Sequence, residues 1–242
     1  QDGRTMDCTP DHPILVNSKD WIKAKDIKLN TDRLSIGVTG PQMKIKEEIN
    51  ICNGWSQRFG NILLQTSSLS DYLKTLAFMR IIGYIMCDGH IPIEASSGQI
   101  YMGHQLDVES ILRDLEIFCD ITSVRKTPHC YIINLPSAFV QNLLTIEGFP
   151  IGRKIDQPAT LPLFLKTCPK PLLREFLGGL FGADSHTCYL GLHRGKRDLL
   201  TSISFSKSKM KKHLQSLQTM MEQIKCFLHS FGITNVTIRK PK

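Results

Sequence analysis

Apolar and polar positions follow two periods along this chain. A spacing of three to four residues predicts helices over residues 72–86, 107–118, 138–146, 172–183 and 209–230. Ser70 and Asp71 give an N-cap signal for the first of these, Ser137 caps the third, Pro171 suits the first turn of the fourth, and Gly232 ends the last. Short apolar runs and period-two alternation predict strands over 14–16, from Trp21 onward, and over 34–38, 99–106, 188–192, 202–205 and 236–239. Residues 124–126 and 130–135 read as a hairpin around Thr127-Pro128-His129. Residues 42–69 show neither period and read as a linker.

The same order, helix then strands then helix then strand, is written twice, so the expected architecture is a duplicated α+β unit. Ile81-Ile82-Gly83-Tyr84-Ile85-Met86-Cys87-Asp88-Gly89 aligns with Leu177-Gly178-Gly179-Leu180-Phe181-Gly182-Ala183-Asp184-Ser185. Further on, Cys119-Asp120-Ile121-Thr122-Ser123-Val124 rhymes with Phe231-Gly232-Ile233-Thr234-Asn235-Val236.

Glycine inside a helix costs on the order of 1 kcal/mol against alanine. Gly83, Gly178, Gly179 and Gly182 are therefore expensive unless two helix backbones must come close. Packing along the glycine faces would bring the two helix ends together, and with them Asp88 and Asp184. An acid at a helix C-terminus opposes the helix dipole, and a second acid facing it adds repulsion. A divalent cation relieves both, since Mg²⁺ takes one or two carboxylates and completes its shell with water and phosphate oxygens. Carboxylates holding hard cations beside a phosphodiester are a recurrent arrangement for hydrolysis.

The paired segments resemble the two copies of the LAGLIDADG motif of homing endonucleases, and the resemblance extends from about Ser70 to the end of the chain. It implies two pseudo-symmetric αββαββα repeats, the second apparently incomplete, whose antiparallel sheets form a saddle over DNA. It also implies metal-dependent hydrolysis of both DNA strands, with Mg²⁺ or Mn²⁺ as cofactor. On that resemblance Asp88 and Asp184 are the catalytic metal ligands, and Gly89 and Ser185 beside them join the candidate metal-binding set. Met86 and Gly182 stand where the motif carries an earlier acid, and Ser185 replaces its final glycine. His90 and His186 each follow the aspartate by two residues, near the expected groove floor. The family places a basic residue near each active site. Lys126 and Lys240 are the candidates by position, with Arg125 and Arg239 beside them.

Charge favours a polyanion or an anionic membrane surface as partner. The chain holds 30 Lys and Arg against 22 Asp and Glu, a net charge of +8 over 242 residues. Candidate DNA contacts are Arg125, Arg194, Lys196, Arg197, Lys207, Lys209 and Arg239, with Arg194-Gly195-Lys196-Arg197 read as a loop. The expected partner is a long asymmetric duplex, bound by a monomer. The 8 cysteines form no C-x-x-C pair, which excludes a zinc ribbon and a dithiol redox motif and suits reduced thiols inside a cell. No signal sequence or membrane span is visible, and the opening Gln1 suggests a chain that begins within a longer polypeptide.

The first residues carry a second resemblance. Cys8-Thr9-Pro10-Asp11-His12-Pro13, followed by Trp21-Ile22-Lys23-Ala24-Lys25-Asp26-Ile27, resembles the Hint splicing fold of inteins. Thr9 and His12 match its T-x-x-H element, which activates the upstream splice-site amide. A nucleophile at position 1 and a His-Asn pair are both missing, so self-splicing by this chain is not expected. The expected division is a Hint-like remnant over 1–41, a linker over 42–69, a first repeat over 70–170 and an incomplete second repeat over 171–242. A catalytically silent nucleic-acid-binding protein, maturase-like or a decayed endonuclease, is the alternative.

Overall fold

The computed structural model describes residues 8–16, 20–28, 31–32, 44–94, 97–120, 123–186, 190–193, 196–200 and 203–239, with the backbone alone for 190–193 and 196–200. The chain is a mixed α and β protein. Its contacts form two units, Gln1–Gln42 with Ser185–Phe205, and Met43–Asp184 with Ser206–Lys242. The contiguous division at 41, 69 and 170 expected from sequence therefore differs from the grouping of contacts, because residues 185–205 associate with the amino-terminal segment.

In the first unit, β1 (Pro13–Val16) pairs antiparallel with β2 (Asp20–Lys23), from Pro13↔Lys23 to Val16↔Asp20. Ile14 and Val16 are buried. The expected strand over 34–38 lies outside the described residues.

The second unit begins with a correction. The stretch read as a linker forms α1 (Ile45–Ile51) and a hairpin of β3 (Ser56–Phe59) with β4 (Ile62–Gln65). Cys52, Phe59 and Leu64 are buried, and the buried Thr66 hydroxyl is bonded to the Cys52 carbonyl. Few apolar residues suffice here because the hairpin borrows its core from other elements. The Phe59 ring stacks on Phe78 at 5.4 Å and meets Phe164 at 5.0 Å.

The central helix α2 (Leu69–Asp88) starts two residues earlier than the cap signal suggested. Ser68 is the N-cap, its hydroxyl accepting the Asp71 N–H at 3.1 Å. Buried residues lie on most sides of α2, as expected of a helix enclosed by others. It runs directly into β5 (Gly89–His90), the edge of a sheet that also holds β6 (Gly98–Met102), β7 (Val124–Lys126) and β8 (Tyr131–Leu135) in the order β5-β6-β8-β7. Helix α3 (Gln105–Leu115) buries Val108, Ile111 and Leu115, and α4 (Ser137–Leu144) buries Phe139, Val140 and Leu143. The hairpin of β7 and β8 agrees with the sequence reading, with Lys126 opposite Tyr131.

Helix α5 (Lys170–Asp184) packs along α2 and leads into β9 (Ser185–His186), which belongs to the first unit. There β10 (Leu190–His193) pairs with β11 (Lys196–Leu200), and β9 with β12 (Ser204–Phe205). Lys196 and Arg197 thus lie on a strand where a loop was expected. Back in the second unit, a short 3-10 turn Lys211–His213 precedes α6 (Leu214–Ser230), so the last helix starts later than expected. Residues 233–239 form no regular structure. The strand expected at 236–239 is absent because a strand exists only through ladder bonds, and no described segment pairs with it.

Candidate active site

The site is made by two helices whose backbones nearly touch. A Cβ added to Gly83 would stand 2.5 Å from the Phe176 carbonyl oxygen and 2.7 Å from the Leu180 nitrogen. One added to Gly179 would overlap the Arg80 carbonyl. These two glycines are the close approach that the sequence called for. Gly178 is different: nothing lies within 4 Å of its added Cβ, so it plays no part in the crossing. Gly182 faces only the end of the Tyr84 side chain, at 3.0 Å.

The crossing is braced by ion pairs. Both nitrogens of one edge of the Arg80 guanidinium donate to Asp114 at 2.7 Å, and a third nitrogen donates to Glu175 at 2.7 Å. Arg80 thereby ties α2 to α3 and α5 with the fork geometry that suits arginine. Arg174 of α5 continues the chain, donating to Glu48 of α1 at 2.7 and 3.3 Å, while the Tyr72 hydroxyl donates to the same carboxylate at 2.5 Å.

Asp88 and Asp184 are the last residues of α2 and α5, and each is half-buried. Neither helix carries a basic residue in its last turn. Carbonyls in the last turn of α2 accept from two lysines that come from elsewhere. Lys154 Nζ donates to Ile85 at 2.6 Å and to Cys87 at 2.9 Å. Lys207 Nζ donates to Met86 at 3.3 Å and forms an ion pair with Asp184. A run of bonds places the two lysines side by side. Met210 N–H donates to the Ile155 carbonyl at 3.0 Å, and Lys209 Nζ donates to the carbonyls of Lys154 and, at 3.0 Å, Gln157. The His213 ring is 2.9 Å from the Asp156 carbonyl.

Burial first, and then the nearby charge of Asp184, pushes the Asp88 carboxyl up to about 6. Burial, and then the Lys207 charge, brings the Lys154 ammonium down to about 8. Burial pushes the Cys87 thiol up to about 12, so beside this acid pair it remains a neutral thiol.

Among the described residues no group of three or more His, Cys, Asp or Glu side chains gathers as a metal cage. Two carboxylates confined together fit a cation such as Mg²⁺ or Mn²⁺, which needs only one or two and draws its other ligands from water and substrate. Gly89 opens β5, its N–H held by the Ile85 carbonyl, and Ser185 opens β9 in the other unit.

The remaining sequence candidates fall in several places. Lys126 does not join the acid pair. It is exposed on β7, three strand spacings or on the order of 14 Å across the sheet from β5, and its Nζ stands 5.3 Å over the Tyr131 ring. Pairing register also puts it on the face opposite Arg125. Arg125 shares a face with Ile132 and Tyr101, next to His90, Gln99 and Asn134. On that face the Tyr101 hydroxyl donates to Gln99 at 2.7 Å, Gln99 to Asn134 at 3.1 Å, and Asn134 to the Ser123 hydroxyl at 2.7 Å.

Lys207 and Lys209, expected to contact DNA, are engaged with Asp184 and with backbone carbonyls instead. Arg239 is exposed in irregular chain. Arg194 and Lys240 lie outside the described residues, and for Lys196 and Arg197 only the backbone is described. Thr9 and His12 are exposed in one turn, His12 N–H donating to the Thr9 carbonyl at 3.0 Å. His90 and His186 are also exposed. Lys154 was missed by sequence reading. The available signal was a pair of helices ending in acids with no cation in either last turn, which calls for positive charge from elsewhere.

No family model matches the chain. Two curated proteins are similar to it. The tRNA-splicing ligase RtcB of Methanopyrus kandleri is 27% identical over 257 residues, covering 96% of this chain and 25% of that protein. The replication factor C small subunit of Methanocaldococcus jannaschii is 30% identical over 172 residues, covering 63% of this chain and 9% of its own length. The chain spans a quarter or less of the curated relatives it matches.

Proposed function

We propose that this chain is the endonuclease portion of an intein, a LAGLIDADG-type enzyme that hydrolyses both strands of a long, asymmetric DNA site. The observation that carries the reading is the convergence of Asp88, Asp184, Lys154 and Lys207 at the end of two helices packed through Gly83 and Gly179. The relatives support the insert reading. The chain is similar to a quarter of a protein named as a tRNA-splicing ligase and to 9% of one named as a replication factor C small subunit. An element inserted into both genes would account for that. The Thr9 and His12 turn is read as the remnant of the splicing domain.

In this reading Asp88 and Asp184 hold Mg²⁺ or Mn²⁺, and such a cation, when bound, polarises the scissile phosphate and offsets charge on the leaving oxygen. The side chains of the protein do the rest. Lys154 is held by two carbonyls at the helix end and keeps a proton on Nζ at neutral pH, within reach of its own titration. That suits a group passing a proton between water and the reacting oxygens. His90, Gln99, Tyr101, Asn134 and Arg125 present a polar face suited to base edges, and the positive net charge supplies phosphate affinity. Among the described residues no helix is long and apolar enough to cross a membrane.

The test is cleavage of the host-gene sequence from which the insert's coding region has been removed. The chain should cut it in Mg²⁺, and Asp88→Asn and Asp184→Asn should each abolish cutting while leaving DNA binding. Binding without cleavage by the unaltered chain in Mg²⁺ would overturn the enzyme reading.

A further inference from the structure

The two lysines at the acid pair are held unequally. Lys154 is anchored by two short bonds to carbonyls, 2.6 and 2.9 Å, and pairs with no carboxylate among the described residues. Lys207 has one longer bond to a carbonyl, 3.3 Å, and its principal partner is the Asp184 carboxylate. The segment that carries it is pinned further along, at Lys209 and Met210, so the flexible stem of Lys207 can turn without disturbing the backbone. Among the described residues, no side chain bonds Asp88 directly.

These facts describe a cation held on one of the two carboxylates proposed to bind a metal. Two carboxylates at adjacent helix C-termini repel each other and face the negative helix ends. One ammonium on Asp184 relieves that repulsion while leaving Asp88 open. A dication and an ammonium cannot share one carboxylate without strong like-charge repulsion, so the arrival of one displaces the other.

We propose that Lys207 is a placeholder cation, holding Asp184 in register while no divalent ion is bound and yielding that carboxylate when one enters. The proposal rests on the reading of Asp88 and Asp184 as a cation-binding pair. Lys207 is then a positioning residue: it keeps the acid pair assembled before metal arrives, and it sets the metal concentration at which the site fills.

Thermal unfolding of the full chain in a Mg²⁺ titration, without DNA, tests this. The unaltered chain should melt higher as Mg²⁺ is added, and Asp88→Asn and Asp184→Asn should each remove that response. Lys207→Met should melt lower without Mg²⁺ and reach half of its rise at a concentration about tenfold lower, because the competing charge is gone. Lys207→Arg, which keeps the charge, should stay near the unaltered midpoint. An unchanged or higher midpoint in Lys207→Met, with the two aspartate variants unresponsive, overturns the placeholder and leaves the nuclease reading standing. A Mg²⁺ response that is missing from the unaltered chain, or that survives in the aspartate variants, overturns both.

Discussion

A methyl group on Gly83 would stand 2.5 Å from the carbonyl oxygen of Phe176, well inside van der Waals contact. Helices α2 and α5 are therefore as close as backbone permits. Gly83→Ala and Gly179→Ala should each force them apart and lower stability by about 1–3 kcal/mol, the usual cost of overpacking a tight interior. Gly178→Ala meets open space and should be neutral, or stabilising by up to about 1 kcal/mol through helix propensity. Urea unfolding of the three variants separates these outcomes. Equal destabilisation by all three would contradict the geometry.

Stability without metal should depend on pH through Asp88. Its folded value of about 6 lies above the ordinary 3.8, so between those limits the folded chain binds the proton and the unfolded chain does not. Stability from this group is therefore fully present below about pH 4, falls as pH rises, and is gone above about pH 6. The group is partly exposed, so the effect should be about 1–2 kcal/mol at most. Asp88→Asn should flatten this part of the profile and raise the melting temperature at pH 7. Thermal melts from pH 4 to 7.5 in a chelating buffer measure both.

Lys154 and Lys126 should behave oppositely. On the proposed nuclease reading, Lys154→Met removes the ammonium beside the acid pair and should slow cleavage by about 100-fold or more, with DNA binding retained. Lys126→Ala alters an exposed residue on the far edge of the sheet and should change cleavage by no more than about twofold. Single-turnover rates with saturating DNA, beside a gel-shift measurement, compare the two. A large loss in Lys126→Ala with none in Lys154→Met would reverse the assignment.

The Glu48 carboxylate joins α1 to α5 and α2 through Arg174 and Tyr72. Arg174 is half exposed, so the ion pair alone contributes little, while the Tyr72 hydroxyl is buried and needs its acceptor. Glu48→Ala should therefore cost about 1–2 kcal/mol, and Arg174→Ala less than about 1 kcal/mol. Hydrogen exchange should show the loss first in α1 and in the hairpin of β3 and β4, with the interior of α2 still protected. Uniform loss across both would mean that the segment is no separable brace.

Local signals made much of the second unit legible in advance. Helical periodicity located α2, α3, α4 and α5 to within a few residues, and the β7–β8 hairpin was readable from its alternation and its Thr127-Pro128-His129 turn. Asp88 and Asp184 were legible because two glycine-bearing helical patterns each end in an acid, and interior glycine has a known cost. Pattern failed where an element takes its stability from elsewhere. Residues 44–66 are folded by Phe78, Phe164 and Arg174, which are distant in sequence, so their own polar composition looked structureless. Residues 236–239 look like a strand and are not one, because alternation supplies a face but not a partner.

By itself, then, the sequence determined the type of most described elements and marked the two acids at the ends of α2 and α5, both of which depend on short-range spacing. Only the tertiary structure decided which glycines touch, which face Lys126 takes, and that Lys154 and Lys207 are the cations beside Asp88 and Asp184. Those outcomes depend on where long flexible side chains from separate segments find unpaired carbonyls and charge. Spacing along a chain carries no record of such meetings.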